Sequence, residues 1–344
     1  MLSNEEALDL FRSNDLVGLG LAADAVRRRL HPEGVVTYII DRNVNYTNFC
    51  TEYCSFCAFY RPMGSPEGYI HSKETIFAKI RETLELGGTG ILMQGGLHPD
   101  LKIEWYEDLL SSIKQRFPGL HLHCFSAPEI LNIAEVSGLS VRDTIARLAD
   151  SGLDSIPGGG SEILDDEVRH RISRLKCTTE EWLSVHRTAH QLGLRTTATM
   201  MFGCGETFEH RVRHFERLRQ LQEETGGFTA FIPWMFQREN TALGRFIKEE
   251  TPAVDYLKTL AISRLCLDNI LNVQASWLTP GLQLGQVALR FGGNDLGSIL
   301  IEENVVSAAG CWNRTNEEEL RRVIRDAGFK PVQRDTLYRT YFWK

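Results

Sequence analysis

Three thiols crowd into residues 44–61, VNYTNFCTEYCSFCAFYR, where Cys50, Cys54 and Cys57 stand at C-x-x-x-C-x-x-C spacing and Phe56 precedes the last of them. Thiolates this close can ligate three corners of an iron–sulfur cube. The fourth iron then lacks a protein ligand and can bind a small molecule, so the spacing points to chemistry rather than plain electron transfer. A structural zinc usually wants four closed ligands, often as two C-x-x-C pairs, and the other cysteines, Cys124, Cys177, Cys204, Cys266 and Cys311, lie far apart. Three neighbouring thiols cannot all pair with one another as disulfides. The open cluster is the preferred reading, with zinc and unrelated buried cysteines as its alternatives.

Other candidate groups recur along the chain, each with a structural alternative. Gln94-Gly95-Gly96 offers unhindered backbone to a ligand, or simply makes a turn. Ser126 and Glu129 flank Ala127-Pro128; Ser126 reads equally as a helix cap, and Glu129 suits a first helical turn whatever else it does. His123 reads as a satisfied core histidine, with strand alternation putting it on the same face as Phe125. Gly158-Gly159-Gly160, followed by Ser161-Glu162 and then Arg169, could present free N–H groups to an anion or form a turn. Glu206, Asn294 and Asp295 are candidates for catalytic or substrate contacts. Glu206 and Asp295 are the candidate bases, and for Glu206 a helix N-terminal glutamate is the alternative. Cys204 beside it reads as a buried, inert thiol.

From residue 35 onward a unit repeats: short apolar run, glycine or polar loop, amphipathic helix. The runs are VVTYIIDRNVN, GILMQGG, LHLHCFS, LDSIPGGG, LRTTATMMFG, GFTAFIPWMF, NVQASWL and, more weakly, VALRFGGND from Val287. Such alternation predicts parallel strands with crossover helices, and eight units favour a (β/α)8 TIM-type barrel, with a partial (β/α)6 barrel as the alternative. The polar motifs fall at the C-terminal ends of the runs, so a barrel would gather them on one rim. The expected organisation is an N-terminal helical segment over residues 1–34, serving as a lid or packing piece, the barrel over 35–328, and a C-terminal tail over 329–344 packed on the barrel as an edge strand or cap.

The 344 residues are 42% hydrophobic and 24% charged, ordinary for a globular protein, with a net charge of −7. That charge argues against a broad nucleic-acid surface. The start, MLSNEEALDLFRSNDL, does not read as a signal peptide, and no run approaches the roughly 18 apolar residues of a membrane span. Dispersed cysteines fit a reducing cytoplasm.

The cysteine stretch resembles the radical S-adenosylmethionine (SAM) superfamily. The resemblance implies a 4Fe-4S cluster on Cys50, Cys54 and Cys57, with SAM on the open iron, cleaved reductively to a 5′-deoxyadenosyl radical. By the same resemblance Phe56, Tyr60, Gln94, Gly95, Gly96, Ser126, Glu129, Glu162 and Arg169 contact SAM; Glu162 would hold the ribose hydroxyls and Arg169 the methionine carboxylate. It also implies a reducing electron donor such as flavodoxin or ferredoxin. Over residues 43–309 the segments CSFCAFYR, MQGGLHPDL, HCFSAPEI, LDSIPGGGSEIL, TATMMFG, FIPWMFQREN and GGNDLG look like the cyclic dehypoxanthinyl futalosine synthase family of the futalosine route to menaquinone. That family's substrate is a small nucleoside-like molecule, dehypoxanthine futalosine. The implied reaction takes hydrogen from the ribose and joins the resulting carbon to the benzoate ring. Related families, aminofutalosine synthase and the deazaflavin-chromophore subunits, share the frame. A non-catalytic iron–sulfur protein is the reading from a different class. The chain departs from the cyclase pattern at Cys204-Gly205-Glu206, where the family has His-Val-Glu.

Overall fold

A computed structural model describes residues 2–343. The chain opens with α1 (Asn4–Arg12) and α2 (Leu16–Leu30), then enters β1 (Val35–Ile39) and β2 (Asp41–Val44). Next come α3 (Lys73–Glu85), β3 (Gly90–Met93), α4 (Ile103–Arg116), β4 (His121–Cys124), α5 (Ala127–Ser137), α6 (Val141–Asp150) and β5 (Ser155–Ile156). The middle comprises α7 (Asp166–Ile172), α8 (Thr179–Gln191), β6 (Arg195–Phe202), α9 (Phe208–Thr225), β7 (Phe228–Met235), α10 (Ala253–Cys266) and β8 (Asn272–Val273). The last elements are α11 (Leu282–Ala288), β9 (Asp295–Ser298), α12 (Val305–Ala308), α13 (Glu317–Asp326), β10 (Lys330–Arg334) and β11 (Tyr341–Phe342).

Strands β2 to β8 form one parallel sheet in sequence order. Only Ile40 separates β1 from β2, and β1 pairs with β9, which meets β8 through a Gln274–Asp295 bridge. The sheet therefore curls and closes as a TIM-type barrel with helices outside, as the alternation predicts. Helix boundaries follow local chemistry. Gly138 ends α5 in a left-handed conformation (φ 66°), and Ser140 caps α6 through its hydroxyl on the Asp143 amide.

One expectation is corrected and two are narrowed to one of their alternatives. The eighth run was placed too early: Val287 and Ala288 end α11, and the strand begins at Asp295. Asn294 and Asp295 thus stand at the entry to a strand, not at its C-terminal rim. The tail takes the edge-strand alternative, with β11 at the edge of the sheet. β10 runs parallel to β1 from Val35↔Lys330 to Tyr38↔Gln333 and becomes part of the sheet. The N-terminal helices take the packing alternative, on the outer wall: Phe11 stacks on Phe208 at 4.8 Å, and Lys258 Nζ donates to the Phe11 carbonyl. Among the described residues no helix is long and apolar enough to cross a membrane.

Candidate active site

The cysteine loop leaves β2 and is tied into a closed lasso. Cys50 N donates to the Arg61 carbonyl (3.0 Å) and Arg61 N to the Asn48 carbonyl (2.7 Å). The Arg61 guanidinium reaches the carbonyls of Ala58, Phe59 and Tyr60, fixing the turn just past Cys57. Two neighbours anchor the middle: Ser55 donates through N and Oγ to the Ile172 carbonyl at the end of α7, and Leu243 N donates to the Ser55 carbonyl. Cys50 and Cys54 are buried and Cys57 is half-buried, all three as free thiols. Burial pushes their pKa values up, and at Cys50 and Cys54 the charges of the other thiols add to the rise. Metal binding would reverse that preference, since a coordinated thiol is deprotonated.

Glycines at the end of β3 let the barrel touch this loop. A Cβ on Gly96 would lie 2.2 Å from the Phe49 carbonyl oxygen and 2.8 Å from Cys50 Cβ; one on Gly95 would strike the Tyr46 ring. The Gln94, Gly95 and Gly96 amides are already donated, to Val44 O, Glu129 Oε1 and Thr47 O. The carbonyls of the two glycines are what this strand end has left to receive an ammonium group.

Glu129 is placed for support rather than for a ligand. Tyr46 Oη and Gly95 N share Oε1, while Ser126 N and Oγ share Oε2. Ser126 and Glu129 thus form a capping box for α5, and both side chains are committed. Arg169 is corrected likewise: its nitrogens donate to the carbonyls of Gly160, Ser161 and Cys177. It clamps the glycine loop, and its Nη1 also lies 3.8 Å from Glu162 Oε2.

The cation beside the cysteines whose side chain is not spent on backbone carbonyls is one the sequence did not single out. Lys176 is buried with its ammonium 5.3 Å from the centre of the Phe56 ring and 3.1 Å from Glu162 Oε1. Burial opposes its charge, but Glu162 and the Cys54 thiol outweigh burial and raise its pKa. Glu162 has φ 38°, a left-handed conformation rare for a residue with a side chain. Its Oε2 is buried without a hydrogen-bond partner. An orphaned carboxylate oxygen in a strained residue is the mark of a ligand contact. It fits a sugar hydroxyl, and three thiols on one loop with no fourth ligand on it fit a cluster with an open iron. No spacing rule pointed to Lys176; it follows Leu175 in an otherwise unremarked turn.

Two hollows adjoin this region. One of about 710 Å³ opens outside the loop, lined by Cys54, Cys57, Tyr60 and the segment from Arg238 to Lys248. The other, about 330 Å³, lies within the barrel and is lined by Gln94, Gly159, Glu162, His123, Asp41 and Trp234 among others. Its size is at the lower end for a small-molecule site. His123 faces this hollow, whereas Phe125, with φ 59°, turns away to pack on Tyr46 and Tyr106, which breaks the expected alternation.

The remaining candidates are structural. Glu206 is enclosed, ion-paired with Arg211 at 2.7 Å, and accepts the amides of Gly203 and Cys204. Burial raises its pKa, but Arg211 and these hydrogen bonds more than offset that and lower it, the opposite of what a base needs. Asp295 takes two nitrogens of Arg334 at 2.6 and 3.0 Å and the Thr37 hydroxyl. Asn294 receives Arg264 and the Val273 amide. Cys204 is buried 3.3 Å from Glu206, and burial pushes its thiol up, so it is inert.

With this geometry in place, the sequence profile of the Radical SAM superfamily matches residues 44–218, and that of the CofH/MqnC C-terminal region matches 225–343. The chain is 51% identical over 337 residues to the "Cyclic dehypoxanthine futalosine synthase" of Halalkalibacterium halodurans, covering 98% of this chain and 90% of the relative. It is 43% identical to the "5-amino-6-(D-ribitylamino)uracil--L-tyrosine 4-hydroxyphenyl transferase" of Methanothermobacter thermautotrophicus, covering 98% and 94%. Among solved structures, methylornithine synthase (PylB) superimposes with a TM-score of 0.71 at 18% identity, covering 96% of this chain and 94% of that one, which speaks for the fold alone.

Proposed function

The chain belongs to the radical SAM superfamily, in the branch carrying the CofH/MqnC C-terminal region, and from that membership we propose that it cyclises dehypoxanthine futalosine in menaquinone biosynthesis. The observation that carries this reading is the near end-to-end identity to a relative named for that reaction, higher than to the transferase. Cys50, Cys54 and Cys57 would hold a 4Fe-4S cluster, the carbonyls of Gly95 and Gly96 the amino group of SAM, and Glu162 Oε2 a ribose hydroxyl. Bound there, cluster and SAM would supply the one-electron reductive chemistry by which hydrogen is taken from the substrate ribose.

The protein's own contribution is geometry and exclusion. Lys176 and Arg169 hold Glu162 from its two oxygens, Lys176 by a hydrogen bond and Arg169, donated to backbone carbonyls, by its charge at 3.8 Å. The barrel hollow encloses the substrate, keeping water and stray hydrogen donors from a carbon radical, and holds ribose and benzoate within bonding reach. Electrons would come from a reducing carrier such as flavodoxin or ferredoxin, in the cytoplasm. The test is anaerobic incubation of cluster-reconstituted protein with SAM, dithionite and dehypoxanthine futalosine, read by mass spectrometry. A product two hydrogens lighter than substrate, with 5′-deoxyadenosine, supports the cyclase; an adenosylated product would move the chain to the aminofutalosine synthase reaction.

A further inference from the structure

The hollow inside the barrel contains an acidic side chain to which the reading above gives no task. Asp41 opens β2, the strand that leads into the cysteine loop. Its Oδ1 accepts the hydroxyl of Ser298, the last residue of β9. Its Oδ2 makes no hydrogen bond to the described residues, and the residue lines the hollow. The other acids there are occupied. Glu162 is ion-paired with Lys176, and Glu303 accepts the amides of Val305, Val306 and Ser307. Asp295, on β9 outside the lining, is held by Arg334. The histidine of the hollow, His123, is hydrogen-bonded to Ser155 Oγ through Nδ1 (2.6 Å) and lies 3.5 Å from Thr197 Oγ1 through Nε2. Burial lowers its pKa to about 3, which makes it a poor base at neutral pH.

We propose that Asp41 is the base of the cyclisation, accepting the proton that the benzoate ring loses when the ring closes. The assignment rests on the cyclase reading. When the ribose carbon radical adds to a ring carbon, one C–C bond forms and the ring is left as a delocalised radical. The C–H bond at that carbon must then break. Its proton goes to Asp41, and the remaining electron goes to a one-electron acceptor of the oxidised iron–sulfur class, so the ring regains aromaticity. Burial raises the pKa of Asp41 above that of an ordinary carboxylate, making it the stronger base; the Ser298 hydroxyl and Arg334 oppose the rise and Asp295 adds to it. These are the groups facing it: Ser298 and Asp295 from β9, and Arg334 from β10. Arg42, next in the chain, is turned to Glu82 and Glu302 instead.

The experiment compares native protein, Asp41→Asn and Ser298→Ala, all cluster-reconstituted and assayed anaerobically with SAM, dithionite and dehypoxanthine futalosine. Asp41→Asn is expected to keep cluster absorbance and substrate-dependent 5′-deoxyadenosine formation while cyclic product falls by about 100-fold, the usual weight of a general base. The deoxyadenosine-to-product ratio then climbs, and the native rise of product formation with pH disappears. Ser298→Ala keeps the carboxylate but removes a hydrogen bond that favours its ionised form, so its pH profile should move to higher pH. This second variant answers the question even if Asp41→Asn misfolds. A native product ratio in Asp41→Asn, a pure KM increase, or an unshifted profile in Ser298→Ala would overturn the assignment. Absence of cyclic product from the native protein would instead overturn the function on which it rests.

Discussion

Lys176 Nζ lies 3.1 Å from Oε1 of Glu162, while Oε2 of the same carboxylate is buried with no hydrogen bond, 3.8 Å from Arg169 Nη1. Both oxygens thus face a cation, but only Oε1 is hydrogen-bonded, which leaves Oε2 able to accept from a ligand. Both side chains are about nine-tenths or more buried, so the pair is not a surface ornament. Charge buried this way is tolerated only when paired, and removing one partner of such a pair costs about 3–5 kcal/mol.

Glu162→Gln should therefore separate SAM binding from cluster assembly. The amide keeps the shape and loses the charge that grips a hydroxyl. We expect SAM affinity to fall about tenfold or more, the worth of a charge-assisted hydrogen bond, with iron content per chain unchanged. Equilibrium SAM binding to reconstituted protein and an iron assay measure the two. Equal SAM affinity would remove Glu162 from the site.

Gly96→Ala should act on the loop instead. Its Cβ would meet the Phe49 carbonyl at 2.2 Å, a backbone atom with nowhere to rotate. Overpacking of this kind costs about 1–3 kcal/mol, and here the displaced backbone is that of Phe49 and Cys50. Iron retained after reconstitution should drop clearly below native, while far-ultraviolet circular dichroism stays native in form.

Glu206 carries a pH prediction of definite sign. Arg211 and the local hydrogen bonds lower its pKa in the folded state against the opposing effect of burial. A carboxyl with a depressed folded pKa contributes stability that is complete above its unfolded pKa, about 4.3, and is lost as pH falls through the folded value. Glu206→Gln should lower the melting temperature at pH 7, and the gap to native should narrow as the pH drops below about 4. SAM cleavage should persist in the variant, since Glu206 faces Arg211 and not the hollow. Thermal melts at several pH values decide it; a constant gap would contradict the ion-pair account.

The sequence reading went furthest where a residue's role is set by its near neighbours in the chain. Cys50, Cys54 and Cys57 sit on one loop, and strand–helix alternation is local, so the loop and the barrel were both legible. The roles of Arg169, Glu129 and Glu206 depend on what else reaches them. Each proved fully bonded to the protein, and no spacing could reveal that. Lys176 and Asp41 show the converse. Neither belongs to a recognisable motif, yet Glu162 Oε1 and the empty side of the barrel strand give them their setting. Asp41 had one available signal: it alternates with Asn43 on a strand entering the cysteine loop, which places both on one face. The eighth strand was misplaced because the apolar Val287–Leu289 run looks the same in a buried helix end as in a short strand.

Arg334 should prove essential to closing the barrel. It reaches from β10 to Asp295 on β9 with both charges enclosed. Arg334→Met leaves Asp295 buried without its cation, at a cost of about 3–5 kcal/mol. Limited proteolysis should then cut near the start of β10, where the native chain resists, and the melting temperature should fall in parallel.

The most direct test of the cyclase reading uses dehypoxanthine futalosine carrying deuterium at the 4′ carbon of its ribose, incubated anaerobically with the reconstituted protein, SAM and dithionite. The expected result is 5′-deoxyadenosine one mass unit heavier, together with a cyclic product that has lost the label. Unlabelled 5′-deoxyadenosine, or the adenosyl group recovered joined to the substrate, would contradict it.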